Sequence, residues 1–505
     1  MPMRRWWLGL LGAALLAAGL FYGLPQLVQR VEAPIVVGLL HSRTGPLAVD
    51  ESPLLDAEIL ALEEINAAGG LLGRRLTWVV ADGRSDPSTF GLEATRLLES
   101  EHATVLFGGL TSSCRRPMQD AAVAAKRLAF FPGAYEGMEV SIDLIGVGPM
   151  PNQQAIPAVS WCIESLKAKK FFLAGIADAS SYAIHGVVRD QLKALGATYT
   201  GEAFVGLDGA KMPELVAAAK ASGADVVVSS VVGDANKSFF KQMAAAGLTA
   251  AKLPIVSLRV SEDDLRQLPV DETVGHYAGW AYFQSLDGEV NQVFVERFRA
   301  KYGSDRPTSD PVVSAYQAVK LWAQAVEDGE SLETGEVRDH LSRQSLEGAQ
   351  GVVSIDHDLL HVWRSFHLGR IRRDGQFDVV WSLPRPIRPE AYPVFRSRAD
   401  WEAALVRWTT DGEAARDEPR TRPRHAPRPR AGIELVRAVG GRAAAGGLGT
   451  SGDGPIARPG LGPPRRPGRR HDPSPGALTF RGAGPEALSR THGPDHDPWM
   501  LERRP

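Results

Sequence analysis

From Ile35 to Ser257 short, uninterrupted apolar runs alternate with amphipathic stretches, and this rhythm limits the possible folds more than any other feature. Ile35-Val-Val-Gly-Leu-Leu40 has the continuous hydrophobicity of a strand buried on both faces. Asp56 to Ala67 then sets Ala57, Leu60, Ala61 and Ile65 along one helical face, and Ala67-Ala-Gly-Gly70 stops it. The spacing predicts further strands at 76–81, 103–109, 128–131, 171–174, 199–204, 225–229 and 254–257. Helices are expected between them at 90–101, 117–126, 154–168, 184–195, 212–221 and 237–246. Strands separated by helices of about 10–15 residues argue for parallel sheets covered on both faces. Roughly 360 residues of such a pattern exceed one core, so two α/β lobes are expected. From Pro384 the chain turns irregular, and residues 396–418 hold one last expected helix, over 399–408. No repeat of solenoid length is visible.

The two chain ends are different material. Arg4 and Arg5 precede Trp6 to Leu24, which carries no charge and would span about 28 Å as a helix. No small-x-small site and no cysteine follow it, so residues 1–33 are expected to be an uncleaved anchor; a cleaved signal is the alternative. Arginines on the cytoplasmic side would place the body outside the membrane. Residues 419–505 hold 16 Arg, no Lys and 7 acids, a net of +9, so the overall −2 leaves −11 for the rest. This tail also carries 15 of the 35 prolines and no apolar period, which predicts disorder. Its readings are a polybasic arm, inert chain, or a shifted reading frame. The acidic body gives no reason to expect nucleic acid.

Chemistry-bearing motifs are scarce. The chain has no GxxxxGK[ST], GxSxG or HExxH, and no GxGxxG between a strand and a helix. His357 and His361 stand four apart without an obvious third ligand and read as part of a surface loop or strand. Cys114 and Cys162 read as thiols, with a disulfide between them open in an oxidising compartment. An enzyme is therefore the weaker reading, and no metal or cofactor is expected.

Polar, small-residue segments follow several strands, where open α/β sheets bind ligands. They are Gly109-Leu-Thr111-Ser112-Ser113, Gly133-Ala-Tyr135-Glu136-Gly137 and Gly233-Asp234-Ala-Asn236. Each alone could be an ordinary loop with a helix cap. Three on a two-lobed body point to capture of a small polar solute.

At these residues the sequence resembles the urea and short-chain amide binding proteins among the type I periplasmic binding proteins of ABC transporters. The likeness runs from about Val37 to Pro393. It is carried by Asp56-Ala-Glu58, Glu63-Glu-Ile-Asn-Ala-Ala-Gly-Gly70, Tyr135-Glu-Gly137, Pro151-Asn-Gln-Gln154 and Gly233-Asp-Ala-Asn236. Phe239-Phe-Lys-Gln242, His276-Tyr-Ala-Gly-Trp280, Tyr282-Phe-Gln-Ser285, Gly369-Arg-Ile-Arg372, Asp374-Gly-Gln-Phe377 and Pro386-Ile-Arg-Pro389 extend it. The resemblance implies two doubly wound parallel-sheet lobes joined by three crossovers. The first would hold about 34–153 and 284–345, the second about 154–283 and 346–393, within a binding domain of 34–395. It implies a solute held between them and passed to ABC permease subunits; related domains instead serve as sensors coupled to an output domain.

The resemblance implies ligand contacts from Gly109, Thr111, Ser112, Ser113, Phe131, Tyr135, Glu136 and Asp234. The chain also departs from the family. Leu110 replaces an aromatic, and Phe131 a tyrosine. In Ile176-Ala-Asp-Ala-Ser-Ser-Tyr182, Asp178 and Ser180 stand where the family places aromatics. An aromatic cage for a tiny amide is thereby lost. A larger cationic or zwitterionic nitrogen compound is expected instead.

Overall fold

The structure is a computed structural model that describes residues 33–410. The expected anchor over residues 6–24 and the expected tail lie outside the described residues. Among the described residues no helix is long and apolar enough to cross a membrane.

The first sheet contains β1 (Ile35–His41), β2 (Leu76–Asp82), β3 (Val105–Gly108), β4 (Leu128–Phe131) and β5 (Leu144–Gly146). All are parallel, in the order β2-β1-β3-β4-β5. Alternation along each strand divides its side chains between two cores. Val105, Phe107, Leu128 and Phe130 face α1 (Ala48–Ala67) and the later α11 (Asp310–Gly329). Leu106, Ala129 and Phe131 face α2 (Pro87–Glu99) and α3 (Ser112–Ala124).

After β5 the chain passes to the second sheet through α4 (Ala155–Glu164). There β6 (Lys170–Ile176), β7 (Thr198–Val205), β8 (Val226–Ser230), β9 (Ile255–Ser257) and β10 (Tyr277–Trp280) run parallel. Between them lie α5 (Ala179–Leu195), α6 (Met212–Ala221), α7 (Ala235–Ala245), and the short α8 (Glu262–Leu265) and α9 (Val270–Thr273). Phe172, Ala174 and Ile176 of β6 pack toward α6 and α7, while Phe171 and Leu173 pack toward α4 and α5.

The chain then returns to the first sheet as α10 (Glu289–Tyr302), α11, α12 (Thr334–Leu341) and the hairpin β11 (Ser345–Gly348) and β12 (Gly351–Ser354). Ile355, Leu360 and Val362 belong to the first sheet's core. The last crossing therefore falls after Val362 rather than near residue 345. It delivers β13 (His367–Ile371) and β14 (Phe377–Ser382), which add antiparallel to β10. The second sheet is thus mixed, not purely parallel. Its order is β14-β13-β10-β9-β8-β6-β7. The cause is local: Asp374-Gly375 turns tightly, with Gly375 at φ 74°, so β13 and β14 form a hairpin that needs no crossover helix. The expected last helix is α13 (Arg398–Thr410), whose Trp401 and Trp408 pack with Tyr182 and Val187 of α5.

Cys114 and Cys162 are free and buried in different cores, so no disulfide joins them. His361 is buried and bonds the Tyr135 hydroxyl and the Leu359 carbonyl, which removes the surface-loop reading for that histidine.

Three chain passes between the sheets meet at one ion pair. Arg364, 1% exposed, holds both oxygens of Asp310 at 2.5 and 2.6 Å. It also donates to the Val147 carbonyl and the Ser314 hydroxyl. Asp310 in turn accepts from the Ala281 amide at 2.9 Å. Arg364→Met should therefore destabilise the protein by about 3–5 kcal/mol, because Asp310 would be left buried without its cation. Adding Asp310→Leu should recover part of that loss. Chemical denaturation of the three proteins checks this; equal stability of Arg364→Met and wild type would contradict it.

Candidate functional site

Both sheets end their parallel strands toward one cleft. After β3 the backbone turns through Gly108 (φ 146°) and Gly109 (φ 78°). A Cβ on Gly108 would lie 1.8 Å from the Leu40 carbonyl oxygen, so this close approach requires glycine. The turn delivers Thr111 as the extended N-cap of α3, and its side chain makes no capping bond. The Thr111 hydroxyl instead lies 3.1 Å from that of Ser113.

The next layer is a support. Ser112 is buried and its hydroxyl donates to Glu136. Glu136 also accepts from Arg116 at 2.7 Å and Arg115 at 3.4 Å. Burial opposes its charge, yet Arg115, Arg116 and Ser112 outweigh that and hold its carboxyl below the usual range. The Arg115 guanidinium lies 4.7 Å over the Tyr135 ring.

The second lobe supplies charged groups. Asp178 caps α5, accepting the Ser181 amide at 2.8 Å. Burial, with Glu136 adding, pushes Asp178 up to about 6 against the opposing Ser181 amide and Arg259. Arg259, just past β9, reaches Ser180 Oγ at 3.3 Å and the Leu258 carbonyl at 3.0 Å. Burial draws Arg259 down to about 10, opposed by Asp178 and Glu136.

A third group of acids stands at the junction of α1 and α8. Burial pushes Asp263 up to about 7, although Ser309 donates to it. Burial likewise pushes Asp264 up to about 6, although the Ser261 amide and hydroxyl hold it. Asp50 lies against them and is held well above the carboxylate range by burial and by Asp264, Asp263 and Glu51. A side-chain hydrogen bond joins the Asp50 and Asp264 carboxyls, so the two share a proton, while Oδ1 of Asp263 has no donor. Beneath Asp50, the buried His41 ring sits between Glu58 at 2.9 Å and Glu51 at 3.5 Å. Burial would lower His41, but the two glutamates raise it to about 10.

Thr111, Asp178, Arg259 and the acids Asp50, Asp263 and Asp264 line one cavity of about 30 Å³, where a single water takes roughly 10–15 Å³ on the same scale. Asp50, Leu110, Thr111 and Ser309 come from the first lobe; Asp178, Ser180, Arg259 and Asp263 come from the second. Trp280, its ring nitrogen bonded to the Val260 carbonyl at 2.7 Å, forms a wall.

Of the residues expected from the sequence, Thr111, Asp178 and Ser180 line this cavity. Gly109 shapes the turn, and a Cβ there would be 3.3 Å from the buried Phe131 ring behind it. Ser113 bonds Thr111, while Ser112, Tyr135 and Glu136 form the deeper support. Asp234 is exposed and pairs with Lys237 at 2.7 Å. Its amide donates to the Pro46 carbonyl at 3.3 Å, so this loop contacts the other lobe through its backbone. Sequence reasoning missed Asp50, Arg259, Asp263 and Asp264. The run Arg259-Val-Ser-Glu-Asp-Asp264 directly after a strand was the available signal.

The chain belongs to the periplasmic binding protein domain family, which matches residues 35–398. The fold is that of the type I members. The chain is 31% identical over 113 residues to limonene hydroxylase of Geobacillus stearothermophilus, covering 22% of this chain and 21% of that one. It is 29% identical over 223 residues to an amino acid binding protein of Pseudomonas aeruginosa, covering 43% and 59%. It thus spans less than two thirds of either relative. With Leu/Ile/Val-binding protein homolog 8 of Brucella abortus the identity is 26% over 333 residues, covering 60% and 79%. Among solved structures, an ABC transporter solute binding protein from R. palustris in complex with 4-hydroxybenzoate gives a TM-score of 0.64 at 20% identity. That match covers 70% of this chain and 97% of the other. The branched-chain amino acid transporter substrate binding protein LivJ from Streptococcus pneumoniae, in complex with isoleucine, gives 0.62 at 22%, covering 71% and 100%. At these identities the likeness is one of fold.

The raised acids predict a pH effect. A carboxyl whose folded value lies above its unfolded value favours folding at low pH, and that contribution disappears as pH rises through the folded value. For Asp178 the window runs from about 4 to about 6. Asp178→Asn keeps a capping side chain but removes the ionisation. Its melting temperature relative to wild type should therefore rise between pH 4 and pH 8, by an amount equivalent to about 1–3 kcal/mol. Thermal melts across that range check this, and a constant difference would contradict it.

Proposed function

We propose that this chain is an extracytoplasmic solute-binding protein that closes on a small nitrogen compound and delivers it to the permease subunits of an ABC transporter. The observation that carries this reading is the cavity between the two lobes, walled by charged and polar groups from both. Its surroundings combine several acids with one guanidinium, Arg259. Such a lining suits a solute that brings positive charge and also an acceptor end. The Arg259 guanidinium, Ser180 and the uncapped start of α3 at Thr111 are placed to receive that acceptor. The small volume favours a solute of few heavy atoms. Urea and simple amides would match the size but leave the carboxylates without a counter-charge. The preferred solute is therefore cationic or zwitterionic.

Isothermal titration of the full chain with urea, acetamide, agmatine and a set of small amino acids tests both parts. At least one amino compound should bind at micromolar strength or better, and urea should bind more weakly. Urea binding tighter than about 10 μM, worth roughly 7 kcal/mol, with no amino compound matching it would overturn the charge preference. Binding by none of them would count against solute binding itself.

A further inference from the structure

On the second-lobe side of the cavity, three polar side chains form a chain of hydrogen bonds that solute capture does not call on. Ser230, the last residue of β8, lines the cavity beside Ser181, and their hydroxyls lie 3.0 Å apart. Behind Ser230, Nε2 of His185 on α5 stands 3.2 Å from its Oγ. Nδ1 of His185 lies 3.1 Å from Oε2 of Glu202 on β7, and Glu202 is also paired with Arg189. Gly175 on β6 makes room for the contact. A Cβ there would lie 2.7 Å from Ser230 Oγ and 3.0 Å from His185 Nε2.

The hydrogen bonds assign the protons. A carboxylate paired with an arginine only accepts, so the ring hydrogen sits on Nδ1, facing Glu202. Burial lowers the His185 value against the pull of Glu202, which keeps the ring neutral and leaves Nε2 as an acceptor. Ser230 therefore donates its hydroxyl hydrogen to Nε2. A hydroxyl bonded to a neutral imidazole, whose other nitrogen a carboxylate holds, has the arrangement of an activated nucleophile. The same cavity can receive an oxyanion. The N-terminus of the 17-residue α5 opens on it at Ser180 and Ser181, and the Arg259 guanidinium lies 3.3 Å from Ser180 Oγ.

We propose that Ser230, His185 and Glu202 form an acyl-transfer site that hydrolyses a short-chain carboxylic ester or amide. As Ser230 Oγ bonds to the acyl carbon, its proton passes to Nε2 and the carbonyl π pair moves onto oxygen. That pair re-forms the carbonyl as the alcohol or amine leaves with the proton from Nε2. Water then attacks the Ser230 ester and gives one proton to Nε2, which returns it to Oγ as the acid departs. Glu202 positions the ring and stabilises its transient charge. The cavity of about 30 Å³ limits the acyl group to a few heavy atoms.

Methanesulfonyl fluoride tests the nucleophile in the full chain, since attack by Oγ forms a sulfonate ester and releases fluoride. Peptide mass mapping should place one adduct per chain on Ser230. p-Nitrophenyl acetate should be hydrolysed faster than by Ser230→Ala, and labelling should abolish the difference. His185→Gln should slow labelling about a hundredfold or more. Glu202→Gln should slow it about tenfold or more. Melting curves identify any variant that fails to fold, and the wild-type result decides the matter without them. A purely structural network would change the melting temperature of the variants and give no adduct in the wild type. No adduct on Ser230, an adduct on Ser181 in its place, or equal labelling of a folded His185→Gln would overturn the proposal. Labelling without ester turnover would overturn the hydrolytic step. The titrations described above read capture without reference to Ser230 reactivity, so the two readings fail separately.

Discussion

A single guanidinium, that of Arg364, meets the chain wherever it passes between the two sheets. It sits on the third pass, donates to Val147 on the first, and clamps Asp310, which receives the Ala281 amide of the second. A hydrophobic cluster of similar volume could be as stable, because removing two charges from water costs about what their attraction returns. It could not register three chain passes against one another. A planar donor fork fixes direction as well as distance. Gln153 and Gln154 extend the same logic: Gln153 donates to the Val362 and Ile387 carbonyls, and Gln154 to those of Leu258 and Gly279. The joint between the lobes is therefore held by side chains gripping backbone, which leaves the cleft walls free to carry other chemistry.

That division shows in the buried acids. Glu136 pays for its burial with two arginines and a hydroxyl, and its carboxyl is drawn below the usual range. Glu51 and Glu58 share the His41 imidazolium. Each belongs to the scaffold under the site. At the cavity the compensation stops, and Asp50, Asp263 and Asp264 are all pushed up by burial. The same chain thus supplies several counter-charges one layer below the cavity and, at the cavity itself, only Arg259.

The fold was legible because its strands are buried on both faces. Runs such as Leu128–Phe131 and the helix Met212–Ala221 stand in the structure where their hydrophobicity placed them. The starts of three helices were not legible. Apolar periodicity put them at 56, 117 and 184, whereas they begin at Ala48, Ser112 and Ala179. The added turns hold or adjoin Asp50, Thr111, Asp178 and Ser180, all of which line the cavity. A helical turn that faces a polar cleft has no apolar side to show, so the periodicity signal fails where the site begins. The edge hairpin β13–β14 was missed for a different reason. Its pairing partner β10 lies almost 90 residues earlier in the chain, and no local pattern reports that pairing.

Joint and site meet where the two lobes approach one another. At the rim, Gly233 (φ 69°) brings its backbone so close to Pro46 that a Cβ would lie 2.9 Å from the Pro46 carbonyl oxygen. Leu47 is buried within the second lobe's core cluster. These contacts are uncharged and hold the lobes together without calling on the carboxylates of the site. In this arrangement Asp50 on α1 stands against Asp264 on α8, and two carboxylates brought together out of water repel strongly. The pair therefore keeps a proton between its two carboxyls. The rim thus draws the lobes together through apolar and backbone contacts, while the acids at the cavity set the charge that the approach can tolerate.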